Sequence, residues 1–221
     1  MIDVNDDAPT FKLSEYTARV PENANPPFNV ITIKADDRDT GQFGLVTYAL
    51  DSLTNDFRIV ADKGTIFSRK RFDREARERF IVTASASDQT FDTQVTVNVD
   101  IVDQNDQPPV FPQRRYEATV QEDAVIGTSI RELSATDGDI GENAKLDYFI
   151  SSGDQSQKFK METVYQRNSA KNYGILILDG KLDFESRQSY TIKVTATDRK
   201  DSDTVDVVIK RSEERRVGKE C

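Results

Sequence analysis

The chain has 221 residues, room for two domains of ordinary size, each able to bury a core. Its formal charge of −9 argues against nucleic acid, whose phosphates demand patches of Lys and Arg, and suits either cation binding or solubility. Histidine is absent and the only cysteine is Cys221, so no Ser–His, Cys–His or zinc site can be assembled, while a carboxylate-only glycosidase stays formally open.

The chain opens on an acidic motif, DVNDDAPTF, from Asp3 to Phe11, and Pro21-Glu22-Asn23 follows. Val30–Ile33 and Val46–Tyr48 are β-branched and aromatic runs, read as strands, with Asp37 and Asp39 between them. Arg71–Arg79 is charged and helix-like in composition but has no apolar stripe, so it is read as a connection, one that carries Asp73 and Glu75. Phe80–Thr83 predicts a strand, and Asp88 comes before the next. In Asp92–Val102, Val95, Val97, Val99 and Ile101 alternate with polar residues, the period of two of a half-buried strand.

A second acidic motif, VDQNDQPPVF, spans Val102 to Phe111, and Pro108-Pro109, which cannot continue a ladder, marks a boundary. Beyond it lie Asp137-Gly138-Asp139 and the predicted strands Leu146–Ile150, Ile175–Leu178, Tyr190–Ala196 and Thr204–Ile209. About seven short strands per half fit all-β sandwiches. Gln155–Asn172 is polar and predicts an enlarged loop or hairpin. Ser212–Cys221 breaks the pattern and reads as a non-native tail, set aside from fold reasoning.

The halves repeat. Asn5, Asp6, Glu22, Asp37 and Asp39 match Asn105, Asp106, Glu122, Asp137 and Asp139; after an insertion, Asp73, Glu75 and Asp88 match Asp183, Glu185 and Asp198. Acids kept in order at module edges look like ligands for calcium, a hard cation that takes six to eight oxygens. An EF-hand does not account for them: counted from Asp137, the sixth residue is Glu142 where Gly is needed, and the twelfth is Tyr148 where Glu is needed. Isolated acids such as Asp51, Asp56, Asp62 and Asp154 read as solvated loop residues.

ProGluAsn, Asp73-Arg74-Glu75, Asp-x-Asn-Asp-x-Pro, Asp-x-Asp-x-Gly and Thr195–Asp198, taken in order and largely twice, resemble the extracellular repeats of the cadherin superfamily over roughly residues 2–210. The resemblance implies two tandem seven-stranded Greek-key β-sandwiches of Ig-like topology, residues 1–106 and 107–211, joined by a calcium-binding linker. It implies three calcium ions at the central junction. The first takes Glu22, Asp73, Glu75 and Asp106. The second shares Glu22, Glu75 and Asp106 and adds Asp103, the Gln104 carbonyl and Asp139. The third takes Asn105, Asp137, Asp139, Asp198 and the carbonyls of Gln107 and Asn143. Partial sets stand at the ends: Asn5, Asp37, Asp39 and Asp88 with carbonyls of Asp7 and Phe43, and Glu122, Asp183 and Glu185. Calcium is expected to be weak or absent in both partial sets, whose partner repeats are missing.

The expected function is calcium-dependent adhesion by middle repeats of a plasma-membrane receptor. Its partners would be other cadherin-type receptors, homophilic or heterophilic, on the same or an opposing cell. No catalysis and no small-molecule substrate is expected, no apolar run is long enough to span a bilayer, and no Asn-x-Ser/Thr sequon is present. Adhesion by strand exchange uses a Trp near the mature amino terminus, and the chain has no Trp. Two rival readings are a bacterial surface protein with cadherin-like repeats and a carbohydrate-binding or hydrolytic sandwich. The second rests only on the aromatics Tyr165 and Tyr173.

Overall fold

The computed structural model describes residues 4–51, 55–166, 172–183, 185 and 187–212. The proposed tail beyond Ser212, Asp3 of the first motif and residues 167–171 of the expected insertion lie outside the described residues. Among the described residues the secondary structure is sixteen strands and no helix. The chain divides into two compact units that part between Gln104 and Asn105.

In the first unit, β1 (Thr10–Phe11) pairs with β4 (Ala35–Asp36). The remaining strands are β2 (Glu15–Pro21), β3 (Asn29–Thr32), β5 (Thr47–Leu50), β6 (Phe57–Val60), β7 (Thr65–Ser68), β8 (Arg79–Ser87) and β9 (Asp92–Val102). They form two sheets, ordered β2-β9-β8-β5 and β3-β7-β6. The second unit repeats this with β10 (Arg115–Val120), β11 (Ser129–Leu133), β12 (Asp147–Ser152), β13 (Phe159–Tyr165), β14 (Asn172–Leu178), β15 (Ser189–Thr197) and β16 (Ser202–Arg211), ordered β10-β16-β15-β12 and β11-β14-β13. In each unit the first strand of the larger sheet lies parallel to the last, and the other pairs are antiparallel. The first four strands of each sandwich cross between the sheets, and the rest form hairpins within one sheet, β6-β7 and β8-β9 in the first unit and β13-β14 and β15-β16 in the second, a Greek-key connectivity.

The cores follow from the period of two. Val95, Val97, Val99 and Ile101 of β9 are buried, as are Phe80, Val82, Ala84 and Ala86 of β8, so both strands present one apolar face inward. Phe57, Phe72 and Phe80 cluster with ring centroids 4.7–5.6 Å apart. In each unit one tyrosine of the larger sheet holds the segment that follows the first strand of the smaller sheet: Tyr48 Oη accepts from Ala35 N, and Tyr148 Oη from Ala135 N, both at 2.9 Å.

The helix-like stretch Arg71–Arg79 yields one α-turn, with Arg77 N donating to Asp73 O at 3.0 Å. Arg187 N does the same to Asp183 O at 3.1 Å. The segment expected to be an enlarged loop or hairpin is a hairpin. β13 and β14 pair from Phe159↔Leu178 to Tyr165↔Asn172, seven residues per strand where β6 and β7 have four.

Candidate metal centre

The same arrangement of three aspartates forms once in each unit. In the first, Asp37, Asp39 and Asp88 bring carboxylate oxygens within 4.8 Å of one another; in the second, Asp137, Asp139 and Asp198 do so. The loops that hold them are built by their own short side chains. Asp37 Oδ1 accepts from Asp39 N, and Asp137 Oδ1 from Asp139 N, both at 2.9 Å. Asp88 Oδ1 accepts from Thr90 N and Phe91 N at 2.7 Å, and Asp198 Oδ1 from Lys200 N and Asp201 N at 2.7 and 2.6 Å. For these N–H groups to turn back, the residue after each aspartate adopts positive φ, 82° at Gln89 and 79° at Arg199.

These bonds occupy one oxygen of each aspartate. Asp88 is 2% exposed and Asp198 4%, yet the Oδ2 atom of each is buried with no hydrogen-bond donor. The same is true of Asp37 Oδ2 and of the Oδ1 atoms of Asn5 and Asn105. Both asparagines turn their amides to a neighbour: Asn5 Nδ2 donates to Thr90 Oγ1 at 3.1 Å, and Asn105 Nδ2 to Asp198 O at 3.5 Å. Buried oxygens left without donors are costly, and it is the donors that are absent. Burial pushes the Asp88 carboxyl up, but the Phe91 and Thr90 N–H groups and the Asn5 side chain outweigh it and hold the acid below the ordinary carboxylate range.

The linker residues pack onto these loops. Asp7 N donates to Asp39 Oδ2 at 3.2 Å, and Asp106 N and Gln107 N to Asp139 Oδ2 at 3.2 and 3.4 Å. Gln107 Nε2 donates to Asp106 Oδ1 at 3.1 Å. Asn143, in the neighbouring turn, donates its N–H to Ile140 O at 3.2 Å. Phe43 occupies the same place in the first unit and is half-buried.

A separate cluster closes the other end of the first unit, where Glu22, Asp73 and Glu75 bring oxygens within 4.8 Å. Glu22 is fully buried and pinned through both oxygens, Oε2 accepting from Arg74 N at 2.9 Å and Oε1 from Gln104 N at 2.7 Å. Asn23, with φ of 59°, turns the chain back so that its N–H reaches Phe72 O at 2.9 Å. The Arg74 guanidinium, on a residue 4% exposed, donates to Asp103 and Glu75. Burial pushes its pKa down, but Asp103, Glu75 and Glu22 outweigh this and raise it.

Glu122, Asp183 and Glu185 form no corresponding cluster among the described residues, and Glu122 lies 3.4 Å from Arg211. Three groups were not among the expected ligands, although Asp7 was expected to serve through its carbonyl. The carboxylates of Asp6 and Asp7 join Asp39 within 4.8 Å, and Arg74 sits among the acids. The Asp6 match to Asp106 was the signal for the first; the Arg74 side chain had none. Tyr165 and Tyr173 do not make a sugar platform: Tyr173 faces Val164, the neighbour of Tyr165, so the two rings point to opposite faces of the hairpin.

The donor set is oxygen only, from carboxylates, amide oxygens and nearby carbonyls, which suits a hard divalent cation such as calcium. Two carboxylates within 4.8 Å of each other repel by about 3.5 kcal/mol or more at an effective dielectric of 20, a cost that a divalent ion would remove.

The Cadherin domain family matches residues 16–102 and 116–210. Mouse Cadherin-24 is 38% identical over 205 residues, covering 88% of this chain and 26% of its own length. The Drosophila Fat-like cadherin-related tumor suppressor homolog is 35% identical over 200 residues, 89% of this chain and 4% of its own. The chain thus spans about a quarter or less of these relatives. Among solved structures, mouse Cadherin-23 EC22-24 superposes with a TM-score of 0.75 at 30% identity, covering 94% of this chain and 67% of the other. The human Desmocollin-1 ectodomain gives 0.83 at 22% identity, covering 96% and 43%, a likeness of fold. The chain belongs to the cadherin family and carries two of its domains in tandem.

Proposed function

We propose that the two domains, taken as residues 1–106 and 107–211, are calcium-clamped repeats of a cell-adhesion receptor on the plasma membrane. Glu22, Asp73, Glu75, Asp103, Asp106, Asp137, Asp139, Asn105 and Asp198 would hold three calcium ions, with carbonyls from Gln104, Gln107 and Asn143. Asn5, Asp7, Asp37, Asp39, Phe43 and Asp88 would serve a linker to a preceding repeat, and Glu122, Asp183 and Glu185 a following one. Calcium supplies charge neutralisation and a bridge between carboxylates of separate chain segments. The partners would be other cadherin-type receptors, homophilic or heterophilic, and no catalysis is assigned.

One observation carries the reading. Each unit buries an Asn Oδ1 and an Asp Oδ2 that accept no hydrogen bond, at matching positions of the repeat. Extracellular calcium modules bind at about 0.1–1 mM. With free calcium near 1 mM and a Kd of about 0.1 mM, each independent site stabilises the ordered junction by about 1.4 kcal/mol. Three sites give about 4 kcal/mol, roughly a thousandfold bias.

Asp106→Ala is expected to leave both sandwiches folded while the junction bends even in millimolar calcium. Small-angle scattering of wild type and variant, with and without calcium, tests this. A rod-like profile unchanged in the variant, or a wild type indifferent to calcium, defeats the proposal.

A further inference from the structure

Asp103 and Glu75 present their oxygens to a cation that the chain itself provides, and Glu22 lies within reach of its charge. The Arg74 guanidinium donates through Nε to Asp103 and through Nη2 to Glu75, and Nη1 lies 3.7 Å from Glu78. Its backbone N–H holds Glu22 Oε2 at 2.9 Å. The side chain is 5% exposed, so this is a buried ion-pair network and not a loose surface contact. Its place is set by the fold. The α-turn at Asp73–Arg77 carries Asp73, Arg74 and Glu75 as one piece, and the end of β9 delivers Asp103 beside it.

From this geometry we infer that Arg74 is an exchangeable internal counter-ion, which offsets part of the negative charge of Glu22, Glu75 and Asp103 at low calcium and has to release Glu75 and Asp103 when calcium binds. The inference rests on the calcium reading above. A divalent ion ligated by those carboxylates sits within a few ångström of a guanidinium bonded to two of them, and cation repels cation. Carboxylates shared with an arginine are also poorer donors to a metal. The exchange keeps the first sandwich folded when calcium is low, because fully buried Glu22 and its neighbours always have a positive charge beside them. It also weakens calcium at this cluster, and linkage makes the effect reciprocal: calcium loosens Arg74 by the same factor. The matching position of the second repeat is Phe184, so no arginine stands there in the sequence, and Glu122 instead lies 3.4 Å from Arg211.

The test compares wild type, Arg74→Gln and Arg74→Lys in chelator and across a calcium titration followed by calorimetry. Arg74→Gln is expected to lower the unfolding temperature in chelator, to recover most of that loss in saturating calcium, and to reduce the calcium concentration for half-saturation about fivefold or more. Arg74→Lys keeps the charge and is expected to stay near wild type in half-saturation. In wild type, the NMR signal of the Arg74 Nε–H is expected to shift and lose its protection from solvent exchange as calcium is added. Equal destabilisation of Arg74→Gln with and without calcium, or an Nε–H signal that stays protected at saturation, overturns the exchange while leaving calcium binding intact. A titration in which wild type takes up no calcium overturns both readings.

Discussion

The chemistry at residue scale lies in how each aspartate divides its two oxygens. Asp88 and Asp198 each give one oxygen to two backbone N–H groups of their own turn and keep the other buried. A glutamate, one methylene longer, would not close the same turn. The identity and spacing of these acids were legible in the sequence. Which oxygen is left over was not, because it depends on the left-handed backbone of Gln89 and Arg199. Asp203 shows the contrary case of a fully used carboxylate. It accepts from Phe111 N and Thr204 N, both at 2.9 Å, and from the Arg114 guanidinium, latching the segment after the linker to β16. Burial pushes its pKa up, but Phe111, Arg114 and Thr204 prevail and hold it below the ordinary value. A depressed folded pKa contributes stability that is present above the unfolded value, near 3.9, and is lost as pH falls through the folded one. Asp203→Asn is therefore expected to cost about 1–2 kcal/mol at pH 7, with the gap from wild type closing below about pH 4. Urea unfolding at pH 7 and pH 3 measures both.

At the scale of elements, alternation was the reliable signal. The inward row Val95, Val97, Val99 and Ile101 is readable residue by residue, and β9 forms where that row lies. The partner of β9 was not readable: β2 lies parallel to it, bringing Glu15 to Thr96, and no local pattern joins residues so far apart. The hairpin of β6 and β7 depends instead on one turn residue. Gly64 has φ of +65°, and a Cβ there would lie 2.2 Å from the Ile33 carbonyl oxygen. Its own carbonyl accepts from Ile33 N at 3.0 Å, so β3 cannot simply back away. Gly64→Ala is expected to destabilise the first unit by about 2–4 kcal/mol, from left-handed strain plus overpacking. Thermal unfolding of the variant in saturating calcium checks this, and an unchanged transition would contradict it.

On the scale of the whole molecule, the chain has two separate hydrophobic cores, one per unit. Ile192, fully buried on β15, belongs to the second. Ile192→Ala is expected to cost about 2–5 kcal/mol there, and calorimetry in chelator should show the second unit's transition lowered and the first unmoved. The duplication, the order of the acids within it and the inward faces of the longer strands can all be read from the residues alone. Motif spacing and side-chain period are written locally, one residue after the next. The folded chain is what gathers Asp37 with Asp88 and Asp137 with Asp198, and what brings Asn5 to Thr90 and Asn105 to Asp198 beside them. It alone placed the Arg74 guanidinium between Glu75 and Asp103. Such convergence is set by the sheet pairing that brings distant loops to one end of a sandwich. Pairing arises from long-range contacts, and these have no signature in any single stretch of chain.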